Sequence, residues 1–287
     1  MKTLITNGDS WVFGSEIIDP KIRAKYPSNL HPGNYETNLE NDEYRLPRIW
    51  PNKLGTLLGA DVINLGYPAD DNESIYERTI DYLTGTYINA GLPLNDIFVI
   101  VGWSSPERSR YWYKDDKIND KFILWPSNEI FATPAQKDIY RNYVTYQWNK
   151  EEYIPRFVHL VYRLQLFFEQ HHIKYLMFNA FYQGEGSGCA HPLGKDINIH
   201  AELEKIYQPK YPYWNNHNRA IKTIRHQDIW KLVDPVKYYK KDQPENSFRT
   251  YISNRLENAY SGHHASEEAH TLWAQHLLAY IMSHKII

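Results

Sequence analysis

The chain is nearly devoid of cysteine. A single thiol, Cys189, in 287 residues excludes an intrachain disulfide and a small fold held by crosslinks. It also has little charge bias. Its 32 Lys and Arg stand against 34 Asp and Glu, a formal net charge of −2 with no long basic block, which argues against nucleic acid as a main partner. No run approaches the ~18 apolar residues needed to cross a bilayer, so no membrane partner is expected. The histidines are scattered without i,i+4 pairing or cysteine company, so no metal and no organic cofactor is expected. Gly184-Glu185-Gly186-Ser187-Gly188 has no Gly-Lys-Ser/Thr ending and is not a phosphate loop. Internal repeats, low-complexity runs and linkers are absent as well, and the length suits one α/β domain spanning 1–287.

What is present begins at Gly8-Asp9-Ser10, directly after the apolar run Leu4-Ile5-Thr6-Asn7. A strand ending in this turn leaves a serine hydroxyl at its carboxyl end, where open α/β sheets place their ligands. Ser10 is therefore a candidate nucleophile that needs a base and oxyanion donors from elsewhere. A base is available near the other end, in Ser261-Gly262-His263-His264-Ala265-Ser266, with His270 six residues after His264. His263 competes with His264 for that part, His270 reads as structural, and Ser266 with Glu267 and Glu268 reads as a helix start.

The Gly-Asp-Ser turn and the His264/His270 pair resemble the SGNH/GDSL hydrolase family, over nearly the whole chain. The resemblance implies a second block at Asp61–Asn72, with Ala69 where the family has an oxyanion-hole Gly. It implies a third block after Ile97–Val101, in Gly102-Trp103-Ser104-Ser105-Pro106-Glu107-Arg108, with Ser104 in place of the oxyanion Asn. It also puts the triad acid three residues before the histidine, where this chain has Ser261. The implied site is thus a Ser10–His264 dyad with the N–H groups of Ser10 and Ala69 at the oxyanion, assisted by Ser104. Asp9, Ser261, Asn72 and Arg108 are candidates for support; Arg108 either binds an anionic group or pairs with an acid. Glu257 and Asp71 stand as candidate carboxylates for the imidazole.

Periodicity predicts strands at Lys2–Asn7, Asp61–Leu65, Ile97–Val101 and Ile173–Phe181, and helices at Arg48–Leu58, Asn72–Thr84, Ile154–Gln170 and Ser266–Ser283. The last helix is expected to bury Leu272, Trp273, His276, Leu277 and Ile281. A loop is expected from about Pro20 to Leu46. Insertions are expected at about 109–152, with one or two short helices, and at about 182–244, where His191-Pro192 is a loop feature. The fold class is α/β, a three-layer α/β/α sandwich with a mostly parallel sheet; the resemblance adds a flavodoxin-like strand order.

Aromatics are plentiful: 9 Trp, 24 Tyr and 10 Phe. Clusters such as Arg110-Tyr111-Trp112-Tyr113 and Tyr211-Pro212-Tyr213-Trp214 either face sugar rings or a protein, or pack over the core. The expected function is serine ester hydrolysis on a small-molecule or glycan ester, with O-acetyl groups on a carbohydrate favoured. Acyl transfer uses the same acyl-enzyme. The alternative is a weak or inactive domain of this type that binds a glycan or a protein, motivated by Ala69, Ser104 and Ser261. The first residues lack the long apolar region and cleavage site of a secretory signal. That leads one to expect a soluble protein, cytoplasmic, carried on a virion or released by lysis.

Overall fold

The structure is a computed structural model, and it describes residues 1–26, 36–106, 108–114, 119–124, 139, 142–143, 150–180, 228–243 and 247–287. In chain order the elements are β1 (Thr3–Gly8), α1 (Ser10–Phe13), α2 (Pro20–Arg23), α3 (Asp42–Arg45), α4 (Trp50–Leu58), β2 (Asp61–Asn64), α5 (Asn72–Leu83), β3 (Ile97–Trp103), β4 (Ser109–Lys114), β5 (Asn119–Leu124), α6 (Lys150–Gln170), β6 (Lys174–Asn179), α7 (Asp228–Leu232), α8 (Phe248–Ser253), β7 (Tyr260–Ser261), β8 (His264–Ala265) and α9 (Glu267–Ser283).

The main sheet is parallel and runs β2-β1-β3-β6. Counting only its own strands this is 2-1-3-4, the flavodoxin-like order. Two isolated parallel bridges, Met177 with Tyr238 and Asn179 with Ser247, extend the sheet beyond β6.

Successive strand residues point to opposite faces. Ile5, Val99, Val101, Tyr175 and Met177 therefore enter one core with α5 and α6. Leu4, Phe98, Ile100, Leu176 and Phe178 enter the other with α4, α8 and α9. All seven residues of β3 are buried, as the centre of a sheet covered on both faces requires.

The expected strands and helices are present with shifted ends: β3 continues to Trp103, and α6 begins at Lys150. Two expectations are corrected and one feature is added. The first insertion contains an antiparallel hairpin, β4 with β5, that was not expected, its aromatic segments having the side chains that strands favour; the one or two short helices expected in this insertion fall mostly outside the described residues. The stretch from Pro20 to Leu46 carries α2 and α3, capped by Asp19 and entered from a short turn of 3-10 helix at Leu39–Asn41. On α9, Trp273, Leu277 and Ile281 are buried as expected, while Leu272 and His276 are only half-buried because Ala269 and Ala274 occupy the packed stripe. Most of the second insertion, including Gly184–Gly188, His191-Pro192 and Tyr211–Trp214, lies outside the described residues, as does most of 125–149. No helix among the described residues is long and apolar enough to cross a membrane.

Candidate active site

The turn after β1 is tight because two glycines face each other across the sheet. Gly8 pairs with Gly102 of β3, and a Cβ at Gly8 would lie 2.3 Å from Val12 Cγ2 and 2.6 Å from the Gly102 oxygen. Only glycine lets α1 settle this close to the strand ends. Asp9 then caps α1, its Oδ1 accepting the Trp11 N–H at 3.0 Å. Arg45 holds the far end of α1, donating to the Phe13 carbonyl with its guanidinium over the Phe13 ring. Asn64 ties β2 to the same turn by donating to the Val12 carbonyl at 3.0 Å. Ser10 thus stands at the carboxyl end of β1, nearly buried.

Its partner segment comes from the other end of the chain. β7 and β8 form a hairpin whose two-residue loop is Gly262-His263, with Gly262 at φ +69°. The backbone of Ser261 pairs with that of His264, so Ser261 positions the histidine through the ladder. The hairpin packs against α1 and places the His264 ring 5.9 Å from the Trp11 ring. The His263 side chain lies on the exposed turn. Among the described residues no hydrogen bond joins Ser10 Oγ to His264; such bonds often tighten only with substrate in place.

The residue that sequence reasoning missed is Glu16. Its Oε1 lies 3.2 Å from His264 Nδ1, an ion-pair contact rather than an aligned hydrogen bond. Its Oε2 accepts the His263 N–H at 2.7 Å and approaches the His264 N–H at 3.4 Å. Burial pushes this carboxyl upward, but the contacts from His264 and His263 outweigh it and hold it below the ordinary glutamate value. The two candidate carboxylates for the imidazole are engaged or exposed elsewhere. Asp71 caps α5, accepting from the Ser74 N–H at 2.9 Å and the Ser74 hydroxyl at 2.7 Å, and Glu257 is exposed on the turn before the hairpin.

Ala69 sits at φ +59°, in the left-handed region that favours glycine, at a cost of about 1–2 kcal/mol. No described residue accepts from the N–H of Ser10 or of Ala69. Ser104 is fully buried: its N–H donates to Asn72 Oδ1 at 2.8 Å, and its hydroxyl lies beside Asp9 without an aligned hydrogen bond. Asn72 returns two bonds to the carbonyls of Ser104 and Ser105, each 3.1 Å, and so ties the second block to the third.

Arg108 is buried, 3.5 Å from Asp9 Oδ2, and donates to the Asp70 carbonyl at 2.9 Å. It pairs with an acid, one of its two expected roles. Burial raises the Asp9 carboxyl despite Arg108 beside it. His270, the structural histidine, accepts the Trp50 N–H at 3.2 Å on Nδ1 and so caps α4, whose own cap position is Ile49. No group of three or more His, Cys, Asp or Glu that could hold a metal occurs among the described residues.

A family profile described as "Family of unknown function (DUF6071)" matches residues 31–216. No curated protein matches. Among solved structures the chain is similar to TesA, at 10% identity over 99% of both chains with a TM-score of 0.43. It is also similar to a member of the lipolytic protein G-D-S-L family from Veillonella parvula, at 11% identity over 97% of each chain and a TM-score of 0.37. A third is Axe2, an acetylxylan esterase from Geobacillus stearothermophilus, at 11% identity over 98% of this chain and 94% of that one, with a TM-score of 0.37.

Proposed function

Because the chain belongs to DUF6071, a family of unknown function, and its chemistry has to be argued from its own residues, we propose that it is a serine ester hydrolase of SGNH type. The supporting observation is the meeting of two chain ends: the β1 turn bearing Ser10 packs against the hairpin bearing His264. In this reading Ser10 Oγ attacks the ester carbonyl and His264 Nε2 takes its proton, then hands it to the leaving alkoxide. The N–H groups of Ser10 and Ala69 receive the oxyanion, and water attacks the acyl-enzyme in the second half. The buried Ser104 hydroxyl makes a side-chain contribution at the oxyanion small.

The favoured substrate is an O-acetylated carbohydrate, since the sequence around the site is rich in Tyr and Trp; Tyr67, two residues before Ala69, is 53% exposed. Sugar rings stack on such flat amphipathic surfaces. A second reading, a domain that binds a glycan or a protein without turnover, is favoured by one observation: Ser104, at the position of the oxyanion side chain, is sealed from solvent.

Hydrolysis of p-nitrophenyl acetate, with phosphonate labelling read by mass, separates the two. Ser10→Ala is expected to abolish labelling and lower kcat by roughly 10⁴-fold or more, with His264→Ala comparable. Equal traces in wild type and both variants would turn the assignment to binding. Acetate release from acetylated sugars supports the carbohydrate substrate, and cleavage confined to long-chain esters rejects it.

A further inference from the structure

We infer that Glu16 is the acid of this site, supplying from the nucleophile's own loop the carboxylate that is missing at Ser261, and that Glu36 is the residue that positions it. This rests on the esterase reading above.

The two oxygens of Glu16 have separate tasks. Oε2 takes the His263 N–H at 2.7 Å, which fixes the carboxylate on the hairpin turn. Oε1 is left for the imidazole, 3.2 Å from Nδ1. A carboxylate that only braced the turn would need the first contact and not the second. The turn is also shaped around it: a Cβ at Gly262 would lie 2.3 Å from Oε2, so glycine at that position serves both its φ of +69° and the approach of Glu16.

The backbone tells the same story. Glu16 itself has φ +67°, a conformation that a non-glycine residue keeps only where its surroundings over-determine it. Those surroundings are Glu36, nearly buried, whose Oε2 accepts the Glu16 N–H at 3.0 Å while its Oε1 accepts the Ser15 hydroxyl at 3.1 Å. The Glu16 carboxyl is held below the ordinary glutamate value by its contacts with His264 and His263, in keeping with an ionised partner for the ring.

In the acylation step the Ser10 Oγ–carbon bond forms and the serine proton moves to His264 Nε2. The Nδ1 proton stays on the ring facing Oε1, and Glu16 remains a carboxylate that stabilises the imidazolium. As the ester C–O bond breaks, the Nε2 proton leaves with the alkoxide. The other titratable groups around the ring are Asp9 at the start of α1, His263 on the hairpin and His270 on α9; substitutions confined to Glu16 and Glu36 leave these in place.

The test is kcat and KM on p-nitrophenyl acetate for wild type, Glu16→Gln, Glu16→Asp and Glu36→Gln, with the exposed Glu257→Gln as control. Glu16→Gln is expected to lower kcat roughly 10³-fold or more with KM little changed. Glu16→Asp retains the charge and tolerates the left-handed backbone, and should recover part of kcat. Glu36→Gln should fall between, and Glu257→Gln should match wild type. A folded Glu16→Gln with kcat within about threefold of wild type would overturn the inference. If Glu16→Gln does not fold, Glu16→Asp and Glu36→Gln decide together: wild-type kcat in both, with the carboxylate shortened in one and its brace weakened in the other, would overturn it. A wild type that neither turns over nor labels at Ser10 is instead the failure of the esterase reading itself.

Discussion

The sheet and the site at its carboxyl edge are held together by opposite means. In the sheet each residue is secured several times over, by a backbone ladder on both sides of β1 and β3 and by apolar neighbours on both faces. At the edge the chain is secured by side-chain polar contacts and by backbone angles that cost energy, at Glu16 and Ala69. The difference teaches where one substitution can act: the core has redundancy of position and much apolar burial to lose, while the site is buried too but through polar groups, each with its own partners to lose.

The sharpest way to break that contrast is from the core side. Trp273 on α9 is fully buried, its ring stacked on Phe248 at 5.0 Å and edge-on to Phe178 at 5.2 Å. Trp273→Ala should cost about 3–5 kcal/mol in a urea titration while leaving turnover per folded molecule near that of wild type. Turnover falling well beyond the folded fraction would mean that core and site are one unit.

His270 joins the two regions, and its effect is read through pH. Burial, reinforced by Lys53, His264 and Arg45, depresses its pKa to about 3 from 6.5. Between those values the unfolded chain binds the extra proton, so stability present above pH 6.5 is lost as pH falls toward 3, with a slope of up to ~1.4 kcal/mol per pH unit. His270→Asn, which keeps an acceptor for the Trp50 N–H, should flatten the urea midpoint across that window. A slope identical to wild type would assign the acid sensitivity to the buried carboxylates instead. The smallest effect is expected at Ala69→Gly, where relief of φ +59° should raise stability by about 0.5–1 kcal/mol. Unchanged or lower stability would show that the turn stores no strain.

Much of the sheet is readable from the sequence because it is written in runs. Ile97–Val101 is apolar throughout and becomes the central strand, and the 3.6-residue spacing from Ile75 to Leu83 becomes α5. The segments that bring Ser10 and His264 together are readable because each holds a short pattern tied to a turn. Glu16 is not: it has no motif, and its contact with His263 and His264 spans nearly the whole chain. Its only local signals are the missing acid at 261 and a glycine beside the histidine pair. The β4–β5 hairpin could have been found from its aromatic and β-branched residues, Tyr111, Trp112 and Tyr113 on one strand and Phe122 and Ile123 on the other, with Tyr111 paired to Phe122, but the polar residues among them read as an insertion with short helices.

The order of these parts along the chain has a consequence in time. β1 and the turn with Ser10 leave the ribosome before the other strands of the main sheet, and the hairpin with His264 follows all of them. Domains emerge from the ribosome amino end first. On the esterase reading, the serine therefore has no base beside it until that hairpin has emerged and packed against α1, so that the late-arriving hairpin itself releases the activity.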